Sequence, residues 1–519
     1  DAAPLKHLCD IVLLSMDATT RERPDSARRP AKRAGLFLPG RRILGDICPE
    51  FQARRCHPDT KIQWSHPASL PFSSLVVLDN GQGQLITASD EGYEERRKIW
   101  NGAINLYPSI VAACETVGDV QGAVNVARKH GLPVSVLVGG YGWAGQSLRD
   151  GGVVIDLSAM NQVVIDVQSQ TAIVQGGATT GDVVSAATEF GLTAVVGTMA
   201  KIGMAGFTLG GGYGPLTPHF GLGLDNLVGA ELVTPDGRCL SVSATENADL
   251  FWALRGGGGN FGVVTSMRIR LHRVHQVLAG KIIFPWSDAR SVLTGFATAM
   301  ASAPDELAAT AALVSSPNGD PAIVLAPCWS GDIDRGKAFV DGLTNLASPT
   351  TVNVGSMSCD ALFGLFEGSA PKGRHYAQQT RWLGELSADT ITHLLENADS
   401  RESPFSVLAV QSFHGVPSRQ PLHTTSFGLR RKHFLASIVA AWDESDDRRG
   451  AVHRTWAQNA SEKLSSSALP GGYPNLLGPH DHSQIDLAYG ENTSRLLNIK
   501  RRFDPENVFS ATPLPQSVG

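Results

Sequence analysis

Three glycine clusters are the residues in this chain whose type and spacing point to chemistry. The first, Gly139-Gly140-Tyr141-Gly142-Trp143-Ala144-Gly145, follows directly on a strand-like apolar run. The second runs from Gly203 through Gly206 to Gly210-Gly211-Gly212-Tyr213-Gly214, and the third is Arg255-Gly256-Gly257-Gly258-Gly259-Asn260-Phe261-Gly262. Backbone amides exposed in such turns can cradle phosphate oxygens, and the missing side chains let a pyrophosphate come close. One such turn is more often a tight connection than a ligand site. Three between Gly139 and Gly262 favour an extended dinucleotide lying over all of them.

The spacing excludes the commoner nucleotide sites. In a Rossmann unit, GxGxxG opens a helix and an acidic residue follows about 20 positions on. Here the first cluster leads to Asp150-Gly151-Gly152 and another strand. There is no GxxxxGK[ST] phosphate loop, no GxSxG elbow and no HExxH helix. His480-Asp481-His482 is the only compact His/Asp group, and its i, i+2 spacing in a loop gives poor ligand geometry, so no metal is expected. The seven cysteines are odd in number, scattered and without CxxC, and read as inert thiols.

The elements that must hold these loops alternate between strand-like and helical periodicity. A charged helical stretch after Tyr93 ends near Trp100-Asn101. Ser109–Cys114, Val134–Val138, Val153–Leu157, Val163–Val167 and Thr171–Gln175 read as strands, and Thr116–His130 and Thr180–Phe190 as helices. Beyond residue 275 long helical patterns (Arg290–Ala301, Asp334–Leu346, Asp389–Asn397, Lys432–Trp442) separate strands such as Ala322–Leu325 and Ser406–Gln411. The boundaries that follow are an irregular Arg/Pro-rich extension over 1–88, an α/β domain over 89–274, an α+β domain over 275–460 and a C-terminal segment over 461–519.

With 519 residues, two or three domains are expected. A net charge of −5 gives no footprint for nucleic acid or an anionic membrane, and no apolar run reaches the roughly 18 residues that span a bilayer. Nine arginines lie between Arg21 and Arg55, interleaved with prolines. They read as an irregular extension, with a basic interaction arm as the alternative. A cytoplasmic location is expected. A secreted one stays open, since the sequon at Asn459 is weak evidence.

Many of these residues, in this order, resemble the FAD-binding oxidases of the vanillyl-alcohol-oxidase superfamily, in the branch of berberine bridge enzyme, oligosaccharide oxidases and 6-hydroxynicotine oxidase. The similarity includes Trp100-Asn101, Gly139-Gly140, Asp150 through Leu157, Leu209 to Gly214, Asp225-Asn226, Asn247 through Thr265, Tyr473-Pro474-Asn475, Tyr489-Gly490-Glu491-Asn492 and Asp504 to Phe509. It covers about four-fifths of the chain, from Ser89 to Val508.

The resemblance implies an α+β fold: a PCMH-type FAD-binding domain of two α/β subdomains, completed by the C-terminal segment, plus an α+β substrate domain with an antiparallel sheet. Carried over by position, Val138, Gly139, Gly140, Tyr141, Gly142 and Gly145 would hold the pyrophosphate region. Gly203, Gly206 and Gly211 would border the flavin and adenine, Gly262 and Val264 the adenosine part, and Tyr489 and Asn492 would close over the flavin. Tyr473, with Asn475 beside it, matches the tyrosine held to act as base in oligosaccharide oxidases. Tyr376 falls in a region that lines the substrate pocket in relatives, and His375 and His414 are candidate polar pocket residues.

The implied activity is that of an oxidase passing hydride from a small organic substrate (alcohol, sugar, cyclic amine or natural-product intermediate) to FAD and then to O2, giving H2O2. A flavoprotein cyclase without net oxidation and a flavin-less binding protein are the alternatives, and a monomer or homodimer is expected. The stretch Leu216 to Leu222 echoes amine-type members and tilts the expectation towards small heterocycles. The departures from the pattern carry as much information. Family loops read Arg-Gly-Gly-Gly-His or Arg-Ser-Gly-Gly-His, the histidine bonding the flavin, but here Leu137 and Tyr141 replace the arginine and histidine. The cysteine of bicovalent members aligns near Met199. The expectation is FAD held without a covalent bond, at a lower reduction potential than in covalent relatives, with a tyrosyl ether through Tyr141 as the alternative.

Overall fold

The computed structural model describes residues 83–316, 318–510 and 512–516. Most of the Arg/Pro-rich stretch therefore lies outside the described residues. Its last part does not: Gln84–Ile86, assigned from the sequence to the extension, is strand β1. Three residues are too few to show a period, and β1 exists only through its antiparallel pairing with β2 (Ile110–Ala113).

With β3 (Val134–Leu137) and β4 (Val153–Asp156), these strands form a four-stranded sheet in the order β1-β2-β4-β3, parallel at β2/β4/β3. All four residues of β4 are buried, as expected of a central parallel strand covered on both faces. The helix Val117–His130 crosses from β2 to β3. Thr116 and Asp119 close a capping box at its start and Gly131 ends it in the left-handed region. The charged stretch after Gly92 is helical only over Tyr93–Arg96, shorter than its composition suggests.

The second subdomain contains β5 (Val163–Asp166), β6 (Thr171–Gln175), β7 (Leu192–Thr193), β8 (Leu227–Val233), β9 (Cys239–Ser243), β10 (Val263–Arg270) and β11 (His272–Arg273). Five of them form an antiparallel sheet ordered β5-β6-β10-β8-β9, while β7 and β11 pair with each other. The third sheet is antiparallel throughout and has seven strands: β12 (Val277–Pro285), β13 (Leu307–Ser315), β14 (Pro321–Trp329), β15 (Thr351–Met357), β16 (His375–Leu383), β17 (Val407–Phe413) and β18 (His433–Trp442), ordered β15-β12-β14-β13-β17-β18-β16.

One face of that sheet is covered by the helices Ala289–Ala301, Ile333–Thr344, Ala388–Asp399 and Gly450–Lys463, whose Phe296, Leu343, Leu394 and Trp456 share a core with Ile282, Leu325 and Ile438. The expectation of a helix over Lys432–Trp442 fails here, because the segment is β18. It lies between β16 and β17 and is packed on both faces, so period-2 contrast between an apolar and a polar side is lost.

The C-terminal helix Thr493–Phe503 returns the chain to the first sheet, where Phe509 bridges to Val134. The buried Lys500 ammonium fixes this return. It donates to Asn260 O (2.9 Å), Phe509 O (2.6 Å) and Asp504 (2.5 Å). Among the described residues no helix is long and apolar enough to cross a membrane, and no group of three metal-ligating side chains occurs.

Candidate active site

A cavity of about 560 Å³ runs between the first two sheets and opens onto the face of the third turned away from its helices. It falls in the range of small-molecule and cofactor sites. Val138, Gly139, Gly140, Tyr141, Gly142, Gly203, Gly206, Gly262 and Val264 all line it, as do Tyr473 and Asn475.

The first two glycine clusters touch each other there. A Cβ on Gly139 would overlap Lys201 O, and one on Gly203 would come within 2.9 Å of Val138 Cβ. Gly206 is different. It lines the cavity from within the helix Met204–Leu209, and a Cβ there would meet no protein atom within 4 Å. The space it leaves is cavity rather than packing.

The residues lining it also carry three buried oxygens with no hydrogen-bond partner among the described residues: Ser135 Oγ, Gln146 Oε1 and Ser147 Oγ. An unsatisfied buried polar atom costs about 1–3 kcal/mol. A ligand rich in hydroxyl, phosphate and amide groups, such as FAD, carries the kind of partner these atoms lack, and the glycine-lined wall leaves room for its backbone. The residues present therefore fit an FAD.

Gly211 does not line the cavity. The triplet Gly210-Gly211-Gly212 instead seats Tyr473 and Asn475, which are remote in sequence. A Cβ on Gly210 would overlap Asn475 Oδ1, and one on Gly211 (φ +147°) would lie 2.5 Å from the Tyr473 ring. Gly212 N–H donates to Tyr473 Oη at 2.9 Å. Asn475 Nδ2 donates both to Phe207 O (3.1 Å) and to Tyr473 Oη (3.1 Å), the carbonyl fixing which end of the amide is nitrogen. Two N–H groups thus occupy the phenol oxygen as acceptor, and among the described residues its own proton has no acceptor. Burial raises the Tyr473 pKa, and the Gly212 and Asn475 donors oppose that rise by favouring the phenolate.

The neighbouring phenol is committed elsewhere. His433 Nδ1 lies 2.7 Å from Arg431 O and must donate to it, so Nε2 accepts the Tyr213 O–H at 2.9 Å. Burial lowers the His433 pKa to about 3, so the ring stays neutral, and it raises the Tyr213 pKa well above 10.

Several residues expected at the site lie off the cavity. Gly145 (φ +78°) turns the chain where a Cβ would press on Ile104. Tyr489 is fully buried in the core and does not line the cavity. Asn492 is consumed structurally: its Nδ2 donates to the carbonyls of Leu422, Thr425 and Phe427, which fixes the loop that brings Phe427 beside Tyr473.

Tyr376 stacks on Trp100 (4.0 Å between ring centroids) and donates to Pro371 O, and burial raises its pKa to about 12. His375 pairs with Asp447 and His414 with Pro304 O. Each of the three is held by a partner on a neighbouring loop. The sequence missed Thr310, Gln411 and Ser437 on the sheet face. The available signal was a polar residue within a mostly apolar strand, and Ser412 beside Gln411 carries the same signal without lining the cavity.

Tyr141 also lines a second cavity, of about 480 Å³, which includes Met199, Arg96 and Asp156. Its ring stacks on Trp100 at 5.5 Å and burial raises its phenol pKa, so it is protonated at neutral pH. Met199 offers a thioether with no proton to lose.

Comparison with known proteins places this geometry. An FAD-binding-domain model matches residues 108–243, and a "berberine and berberine like" model matches 484–518. The chain is 31% identical over 452 residues to (R)-6-hydroxynicotine oxidase of Paenarthrobacter nicotinovorans, covering 84% of this chain and 97% of that protein. An FAD-linked oxidoreductase of Dictyostelium discoideum is 29% identical over 435 residues, covering 82% and 93%. Among solved structures, 6-hydroxy-D-nicotine oxidase from Arthrobacter nicotinovorans superposes with a TM-score of 0.76 at 29% identity, covering 84% of this chain and 98% of the other. A xylooligosaccharide oxidase from Myceliophthora thermophila shares the fold (TM-score 0.76, 23% identity, 85% and 99% covered).

Proposed function

The chain belongs to the FAD-linked oxidoreductases that join an FAD-binding domain to a berberine-type C-terminal segment, and from that membership we propose that it is an oxidase of a small organic substrate, using non-covalent FAD and releasing H2O2. Bound FAD supplies the hydride acceptor, and O2 its reoxidation.

The observation that carries the reading is the Tyr473 hydroxyl. Tyr473 lines the cavity, and its hydroxyl receives N–H bonds from Gly212 and Asn475 and has no acceptor for its own proton among the described residues. Once this phenol has released its proton to solvent, the phenolate can take the proton of a substrate hydroxyl or amine at the cavity wall as hydride leaves the substrate. The Gly212 and Asn475 donors stabilise that phenolate. Ser135, Gln146 and Ser147 would hold the cofactor's polar groups together with the backbone of the Val138–Gly142 loop, with Gly203 and Gly206 opposite.

Attachment without a covalent bond rests on Tyr141 and Met199. Acid precipitation of the purified protein is expected to give a colourless pellet and a yellow supernatant; a yellow pellet would sink that part. Tyr473→Phe is expected to slow anaerobic flavin reduction by about 10²–10⁴-fold, the range of a positioned general base. An unchanged rate would remove Tyr473 from the mechanism. Flavin reduction without peroxide release in air would replace the oxidase reading by a dehydrogenase or cyclase.

A further inference from the structure

The substrate end of the cavity is the face of the seven-stranded sheet turned away from its helices. Cross-strand pairing puts its residues in one patch: Thr310 lies opposite Ala326 on β14 and Gln411 on β17, and Gln411 lies opposite Leu435 on β18. Ser437, two positions along β18, shares that face. Ala308 and Ala326 leave a hollow between the larger side chains.

The Ser412 hydroxyl, which does not line the cavity, donates to Ala309 O. Thr310, Gln411 and Ser437 line it and make no side-chain hydrogen bond to a described residue. They are polar groups presented to a ligand.

The second observation concerns charge. Among the described residues lining the cavity there is no Asp, Glu, Lys, Arg or His. The titratable groups are the phenols of Tyr141, Tyr213 and Tyr473 and the thiol of Cys328. Burial raises the pKa of all four, so each is neutral at neutral pH. At the sheet end, away from the glycine loops whose backbone amides can hold a phosphate, an ammonium or carboxylate ligand would give up hydration against Thr310, Ala326, Gln411, Leu435 and Ser437 and find no side-chain counter-charge, a loss of several kcal/mol for a fully buried ion. An uncharged molecule loses little, and its hydroxyl or carbonyl gains the amide of Gln411 and the hydroxyl of Thr310.

Resting on the oxidase reading, we infer that the site selects uncharged, largely apolar substrates bearing a hydroxyl or carbonyl held by Gln411 and Thr310, and rejects cationic amines and carboxylates. This narrows the substrate class against the small amine heterocycles suggested by the Leu216 to Leu222 stretch.

The test uses three probes of one skeleton: cinnamyl alcohol, cinnamylamine (protonated at neutral pH) and cinnamate. Each is titrated into the flavin-loaded full-length protein, with perturbation of the flavin absorption as the binding signal. The alcohol is expected to bind about tenfold or more tightly than either ion. Gln411→Glu supplies the missing counter-charge and should reverse the order of alcohol and amine. Gln411→Leu and Thr310→Val change no charge, and each should weaken the alcohol by about 2- to 10-fold, the worth of one hydrogen bond.

Equal binding of amine and alcohol by the parent, no binding of any probe, or a Gln411→Glu protein that keeps the parent's order would overturn the inference. If Gln411→Glu does not fold, an alcohol affinity unchanged in both Gln411→Leu and Thr310→Val overturns it equally. Binding in the expected order without flavin reduction by the alcohol would instead defeat the oxidase reading and leave the charge selection standing. Reduction by the amine at a rate matching the alcohol would do the reverse.

Discussion

Replacing Gly206 by alanine sets stability and cofactor affinity against each other. Gly206 lies within the helix Met204–Leu209, where glycine is less favourable than alanine by about 0.5–1 kcal/mol. The added Cβ meets no protein atom within 4 Å, so nothing in the fold opposes that gain. The cofactor-free variant should melt at the parent temperature or about 1–2 °C above it. The methyl group does, however, project into a cavity that the cofactor fills. Forcing one extra carbon into a filled site costs about 1–3 kcal/mol, which is about 5- to 150-fold in Kd for FAD. Scanning calorimetry of the cofactor-free protein and fluorescence quenching of added FAD read the two effects separately. Gly342→Ala serves as the control, since Gly342 is also helical with no atom near its missing Cβ but lies remote from the cavity. It should gain the same stability and leave Kd unchanged. An unaltered FAD affinity in Gly206→Ala would refute the claim that this helix faces the cofactor. A large fall in melting temperature would refute the claim that its Cβ direction is empty.

Gly211→Ala places a Cβ 2.5 Å from the Tyr473 ring at φ +147°, so anaerobic flavin reduction should fall at least as far as in Tyr473→Phe while FAD stays bound, as the visible spectrum will show. Lys500→Met leaves Asp504 buried without its cation and two carbonyls without a donor. A loss of about 3–5 kcal/mol is expected in urea unfolding, with weaker FAD binding because Phe509 and Thr512 line the cavity. Acid should destabilise the fold early. Burial lowers the pKa of His433 to about 3 and that of His272 to about 4, against 6.5 for a free imidazole. The unfolded chain therefore binds protons that the folded chain refuses. Stability is complete above about pH 6.5 and falls as pH drops through 6 and 5, by up to about 1.4 kcal/mol per pH unit for each histidine. His433→Gln should flatten that slope, and an unaltered pH profile would exclude His433 as a cause.

The loops were legible because their demands are local. A run of glycines between apolar strands announces backbone in tight turns or close approach, and the capping boxes at Thr116 and Thr179 are written in four consecutive residues. Val134–Leu137 and Val153–Asp156 could be read as strands from their short runs rich in valine and isoleucine. β18 could not. Its residues are buried on both faces by elements far along the chain, so its sequence carries no contrast of sides. The three expected pocket residues on or beside the third sheet, Tyr376, His375 and His414, lie within about one residue of strand ends, and neighbouring loops claim all three.

By itself, then, the sequence determined that this chain carries three glycine-rich loops and that Leu137, Tyr141 and Met199 stand where the family pattern has arginine, histidine and cysteine, because those are properties of residue type at fixed positions. Only the tertiary structure decided what the glycines of the second cluster are for and which polar groups face the substrate. Gly210 and Gly211 make room for Asn475 and Tyr473 more than 250 residues away, and Gly212 supplies the N–H that aims the phenol. Thr310, Gln411 and Ser437 become a binding face only when three strands from separate parts of the chain pair in register. A side chain's proton affinity and direction depend on what is packed against it. In this fold the deciding neighbours come from distant segments.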